Sequence, residues 1–289
     1  PSDGVIFLDV VTDPINPIYL GEWSDFYVHD GMARGDTMYV GCIYEGDLYV
    51  VDVSDKTNPQ NLGNVTTPSA FTHNAWVSDN GDFVFTTDEQ SDAYIGSYDI
   101  SDLNNIQEVD RIQSNPGSNS IPHNTHVDGN FIITSYYRDG TVVHDITNPN
   151  NLIEVAHYDS SPLSGDGFQG CWGTYPFLPS GNIISSDIDY GSITKGRLLV
   201  YSRDFLQACY LEGNVSDISN SLPITNATIE IINPNLTIQT NSDLAGNYMS
   251  GIANSSSYDI IFSAPGYISD TINASFTNGN TTIVDAQLQ

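Results

Sequence analysis

Short apolar runs, three or four residues long and closed by polar turn residues, recur along the first two hundred positions. Phe7-Leu8-Asp9-Val10, Met38-Tyr39-Val40, Val50-Val51-Asp52-Val53, Phe83-Val84-Phe85 and Phe131-Ile132-Ile133 are representative. Tyr, Val, Ile and Thr dominate them, the residue types that favour strands, and no long stretch carries a helical period. The pattern predicts an all-β chain.

The runs repeat. Four of them end in an aspartate, at Asp9, Asp52, Asp99 and Asp145, spaced 43, 47 and 46 residues apart. A turn follows each, at Asn16-Pro17, Asn58-Pro59, Asn104-Asn105 and Asn148-Pro149, where Pro presets φ and Asn bonds its own backbone. Upstream of these aspartates a second register recurs as His29-Asp30, His73-Asn74 and His123-Asn124, with Trp172-Gly173 in that place in the next unit. Four strands in about 45 residues is one β-propeller blade. The count is a half unit over residues 1–24 and units from near 25, 69, 120 and 168, about four to five blades in all. Missing N-terminal blades are expected to complete a larger ring, because closure removes exposed sheet edges.

Near Cys209 the character changes to Asn, Ser, Thr and Ile. Segments such as Thr228-Ile229-Glu230-Ile231-Ile232 and Tyr258-Asp259-Ile260-Ile261-Phe262, with turns at 243–246 and Pro265-Gly266, predict about seven short strands. The expected division is a propeller over 1–207 and a β-sandwich over 210–289.

Composition narrows the partners. Seven Lys and Arg face 36 Asp and Glu, a net charge of −29 in 289 residues. That field repels nucleic acid and anionic membrane surfaces, and suits salt water, where screening acts over roughly 8 Å. No apolar run approaches the about 18 residues of a membrane helix, so direct membrane insertion is not expected. Cys42, Cys171 and Cys209 allow one disulfide at most; a Cys171 to Cys209 bridge and three buried free thiols both remain open.

These segments resemble a known family. The Val-Val-Asp-Val strand ends, Thr72-His73-Asn74-Ala75-Trp76, Pro122-His123-Asn124-Thr125-His126 and the run Trp172-Gly173-Thr174-Tyr175-Pro176-Phe177-Leu178-Pro179-Ser180-Gly181 are similar to the LVIVD-repeat propellers of the choice-of-anchor B type. Leu211-Glu212-Gly213-Asn214-Val215, Asn241 to Tyr248 and Ala264-Pro265-Gly266-Tyr267 resemble the carboxypeptidase regulatory-like sandwich, which is transthyretin-like and not catalytic. The resemblance implies secretion to the surface of Bacteroidota-like bacteria. It defines no activity.

His29, His73 and His123 hold equivalent places in three consecutive units. On innermost strands their imidazoles converge at the propeller axis, where they suit zinc or another transition metal, with Glu89, Asp88 or Asp187 as the acid. His126 joins only if its strand is bulged, since three residues along a regular strand reverse the face. The bland alternative is histidines bonded to backbone in a narrow channel. Acidic turns at Asp30, Asp36, Asp139, Asp187 and Asp189 are candidates for calcium. Trp23, Tyr136, Tyr137 and Tyr190 are candidates to stack on sugars, whereas Trp76 and Trp172 are expected in the core. Seven Asn-X-Ser/Thr sequons, at Asn64, Asn214, Asn226, Asn235, Asn254, Asn273 and Asn280, suit an extracellular surface.

Three functions follow as expectations. The first is a secreted cell-surface binding or scaffold protein that recognises a glycan or a surface protein. The second is a metal-dependent hydrolase or lyase acting on an extracellular polymer, with Glu89 as its first catalytic candidate. The third is a self-assembling component of a surface layer or filament. No nucleophile elbow, phosphate loop or helical His-Glu motif marks an enzyme.

Overall fold

In the computed structural model, residues 4–188, 196–233 and 237–289 are described. Every regular element among them is a strand, and no helix is long and apolar enough to cross a membrane. Two compact units form, one from Pro1–Val143 with His157–Arg203, the other from His144–Ala156 with Asp204–Gln289.

The first unit is a β-propeller arc of consecutive antiparallel sheets. A two-stranded half blade, β1 (Val5–Asp9) and β2 (Ile18–Trp23), precedes a full blade of β3 (Asp30–Arg34), β4 (Thr37–Cys42), β5 (Asp47–Asp52) and β6 (Gln60–Thr66). The next blade holds β7 (Thr72–Val77), β8 (Phe83–Asp88), β9 (Ile95–Asp99) and β10 (Gln107–Ile112). Then come β11 (Thr125–Asp128), β12 (Phe131–Tyr136), β13 (Gly140–Asp145) and β14 (Ile153–Tyr158), and a three-stranded sheet of β15 (Gly170–Tyr175), β16 (Ile183–Ile188) and β17 (Arg197–Tyr201). The first strands stand side by side, β3 on β7, β7 on β11 and β11 on β15. They share a centre.

Why the apolar runs are continuous is visible in β4 and β5. Successive side chains on a strand alternate faces. Tyr39, Leu48 and Val50 pack on Ala75, Val77, Val84 and Tyr98 of the following blade, while Met38, Val40, Tyr49 and Val51 pack on Trp23 and Phe7 of the preceding half blade. Both faces are core, so both must be apolar. The outer strands carry a repeated Leu-Gly for the same reason of closeness. A Cβ on Gly21 would lie 1.8 Å from the Lys56 carbonyl oxygen, and one on Gly63 would lie 2.2 Å from that of Leu103.

The repeat aspartates act as turn locks. Asp9, Asp52, Asp99 and Asp145 each accept the backbone N–H two residues ahead, from Val11, Ser54, Ser101 and Thr147 at 2.7–2.9 Å. A second lock follows at Asp13, Asp55, Asp102 and Asn148, again to the N–H two residues on. These bonds hold the Asp9, Asp52 and Asp99 carboxyls below the usual range, chiefly through the Thr12, Ser54 and Ser101 donors. Part of the acidic excess is thus repeat chemistry.

In the second unit, among the described residues of 204–289, there are eight strands, against the about seven that the pattern predicts. β18 (Cys209–Asp217) is flanked by β21 (Asn247–Ile252) and, in parallel, by β24 (Thr281–Ile283) and β25 (Ala286–Leu288). The other sheet runs in the order β20 (Thr237–Asn241), β19 (Thr228–Ile232), β22 (Ser257–Ser263), β23 (Asp270–Ser275). Between them lies a core that includes Leu211, Val215, Ile229, Tyr248, Ile260 and Phe262. Residues 144–156 belong here because Asp145 accepts the Ala208 N–H, Asn151 donates to the Ser250 carbonyl at 2.8 Å, and Ile153 packs on Ala208 and Tyr210. All three cysteines are buried free thiols, which settles the disulfide alternative.

Candidate metal centre

The three unit histidines meet. The His29 and His73 ring centres are 4.2 Å apart, and those of His73 and His123 are 4.5 Å apart. The local cause in β7 is a bulge: Thr72 opposes Asp88 and Asn74 opposes Thr87, which leaves His73 as the extra residue. A bulge re-aims its residue and is common beside sites. Trp172 is the extra residue of the same bulge in β15, between Cys171 and Gly173. Its ring lies 5.5 Å from that of His123.

The residue after each histidine ties the blades together. Asp30 Oδ2 accepts from Asn124 Nδ2 at 2.7 Å and from Asn74 Nδ2 at 3.4 Å. Asn74 Oδ1 in turn accepts the Thr125 N–H at 3.1 Å. Three sheets are therefore linked directly beneath the imidazoles. The repeated His-Asp/Asn pair was the signal for this network, and its second member is easily passed over.

Glu89, just past β8, supplies the acid. Its Oε2 lies 3.4 Å from His73 Nε2 and its Oε1 lies 3.7 Å from His123 Nε2. The Tyr137 hydroxyl donates to Oε1 at 2.6 Å. His29, His73 and Glu89 each offer a ligand atom within 4.8 Å of the other two. Tetrahedral zinc with bonds of about 2.0–2.1 Å needs ligand atoms about 3.3 Å apart, which the 3.4 Å from Glu89 Oε2 to His73 Nε2 approaches, while His123 faces the other carboxylate oxygen. His73 and His123 are 3% and 6% exposed, and the Nδ1 of each lacks a hydrogen-bond partner. Burial, reinforced by His123 and His29, pushes His73 down to about 3; burial likewise pushes His123 down to about 4. Both rings stay neutral near pH 7, the form that ligates metal. Burial raises the Glu89 carboxyl. His29, His73 and Glu89 are a donor set that fits a borderline transition metal, with His123 beside Glu89 as a further imidazole.

Other expected ligands lie elsewhere. Asp187 opposes Cys171 as Asp88 opposes Thr72, so it matches Asp88 and not Glu89. It accepts from Ser160 Oγ and pairs with Arg197, both at 2.8 Å, while Asp88 accepts from Thr67 Oγ1 at 2.5 Å and the Ser69 N–H at 2.7 Å. Both are corrected to structural carboxylates. His126 is also corrected: the irregularity falls at His123 and Asn124, which both bond to Ser135, Thr125–Asp128 pair regularly, and the His126 ring packs on Trp76 and Phe177, 4.5 and 5.9 Å away.

Among the acidic turns, Asp30 serves the Asn network, Asp36 pairs with Lys56 at 3.3 Å, and Asp139 is buried after β12. Asp189, Tyr190 and Asn235 lie outside the described residues. The described residues of the acidic turns bring no three carboxylates together. Trp23, Tyr136 and Tyr137, expected on the surface, are buried, because they fill space between sheets. Trp172, expected in the core, is half exposed above His123.

Fold and site together define an all-β chain, a propeller with an axial histidine cluster followed by a sandwich. No family model matches the sequence, and no curated protein does. Among solved structures, a chain of the nidogen/laminin complex is 11% identical, with 90% of this chain and 86% of that one covered, at a TM-score of 0.49. Hydrazine synthase from Kuenenia stuttgartiensis is 13% identical, with 86% and 66% covered, at 0.43. BamB from Moraxella catarrhalis is 12% identical, with 91% and 76% covered, at 0.41.

Proposed function

We propose that this protein is a secreted, cell-surface binding propeller that holds a transition-metal ion between His29, His73, His123 and Glu89, with the sandwich as a spacer. The observation that carries the reading is the convergence of three imidazoles and one carboxylate from successive blades, with Glu89 oxygens 3.4 and 3.7 Å from His73 and His123 Nε2. The resemblance to LVIVD-repeat surface propellers supports the location, as does the charge of −29, which suits a saline exterior. The metal would hold the three imidazoles and the Glu89 carboxylate together at the axis.

The test is elemental analysis of protein purified without chelator, beside His73→Ala. About one zinc or other transition-metal ion per chain, lost in the variant, is expected. A metal-free chain that stays so after incubation with zinc overturns the reading.

A metal-dependent hydrolase or lyase is the second reading, and the placement of Glu89 favours it: its carboxylate faces both His73 and His123 with a phenol at its back. Turnover of an extracellular polymer that Glu89→Gln abolishes would establish it.

A further inference from the structure

We infer that the segment leading into His29 forms a carbohydrate subsite, an aromatic and carboxylate cleft that takes an uncharged sugar ring. This rests on the reading of the propeller as a binding protein and is independent of the metal.

Residues 24–29 join β2 to the first histidine. Phe26 turns inward, stacked on Tyr49 at 4.8 Å and edge-on to Trp23 at 6.0 Å, and so anchors the segment in the core. Its neighbour Tyr27 meets Tyr44 at 5.0 Å and 37°, and its ring is also 6.1 Å from that of His29. Tyr44 sits in the turn between β4 and β5, closed by the Gly46 N–H on the Cys42 carbonyl at 2.8 Å, with Gly46 at φ 75°. That turn holds Tyr44 out in water, 75% exposed.

The cleft has a volume of about 430 Å³ and is lined by Ser24, Asp25, Phe26, Tyr27, Tyr44 and Glu45. This lies within the roughly 300–1,000 Å³ range of small-ligand sites. Tyr27 leans against Tyr44 at 5.0 Å and 37° and backs it, which leaves the outer face of the exposed Tyr44 ring for the flat C–H face of a pyranose. Asp25 and Glu45 can accept hydrogen bonds from its hydroxyls. A cage for a quaternary ammonium needs ring faces on several sides. Here the third ring, Phe26, is committed to Tyr49. Two carboxylates and a net charge of −29 oppose anionic sugars.

The test is titration of the full chain with cello-, manno- and xylohexaose, with oligogalacturonate and tetramethylammonium as contrasting probes. At least one uncharged hexasaccharide is expected to bind, and Tyr44→Ala and Tyr27→Ala to weaken it about tenfold or more. No binding by any of the three, equal binding in Tyr44→Ala, stronger binding of oligogalacturonate, or competition by tetramethylammonium overturns the inference. Metal content is read on the same samples. Full metal without saccharide binding overturns the subsite alone; saccharide binding without metal upholds the subsite and overturns the metal reading.

Discussion

Tyr137 and Glu89, which follow the second strands of adjacent blades, are joined by a 2.6 Å hydrogen bond from the phenol to the carboxylate. The phenol fixes one carboxylate oxygen while the other faces His73 Nε2. Partners of this kind orient ligands, and their loss typically weakens metal affinity about 10–100-fold. Tyr137→Phe is expected to lower zinc affinity by about tenfold while the fold persists. Competition with a chromophoric chelator measures it, and unchanged affinity would remove Tyr137 from the site.

Asp30 gathers two asparagine side chains from neighbouring blades. Asp30→Ala leaves the Asn74 and Asn124 amides short of an acceptor, and the loss should be about 1–3 kcal/mol. Urea denaturation reads this as a lower midpoint; Asp30→Asn, which keeps an acceptor oxygen, should lose less.

His126 ties stability to pH. Burial against Trp76 and Phe177 pushes it down to about 4, against a weaker opposing pull from Asp30. The unfolded chain then binds more protons, so stability falls as pH drops from about 6.5 towards about 4. His73 and His123 act in the same direction. Melting temperatures across that window should decline less steeply in His126→Phe than in the wild type, and parallel curves would refute the assignment.

Gly63 lies under the Leu103 carbonyl of the next blade, with no room for a Cβ. Gly63→Ala forces the outer strand away and should destabilise the propeller by about 1–3 kcal/mol. The control is Gly35→Ala, with φ 58° and no atom within 4 Å of a new Cβ, whose cost comes from backbone conformation alone. Equal losses in the two would show that inter-blade contact is not the cause.

Strand content, blade period, the turn-locking aspartates and the three matching histidines are all legible in the amino-acid sequence, because each is written locally. A period of two, an Asp two residues before the N–H it accepts, and a recurring His-Asp/Asn pair need no knowledge of neighbours. The destinations of single side chains needed the tertiary structure. Asp187 looked like an axial acid until its register placed it opposite Cys171 and beside Arg197. A bulge sets His73 toward Glu89, and His123 and Asn124 share Ser135 in the same way, whereas His126, three residues on in the regular part of the strand, is buried against Trp76. Tyr137 reached Glu89 across 48 positions of sequence. One extra residue in a strand reverses which face a side chain occupies, and only the pairing of whole sheets decides where that residue falls.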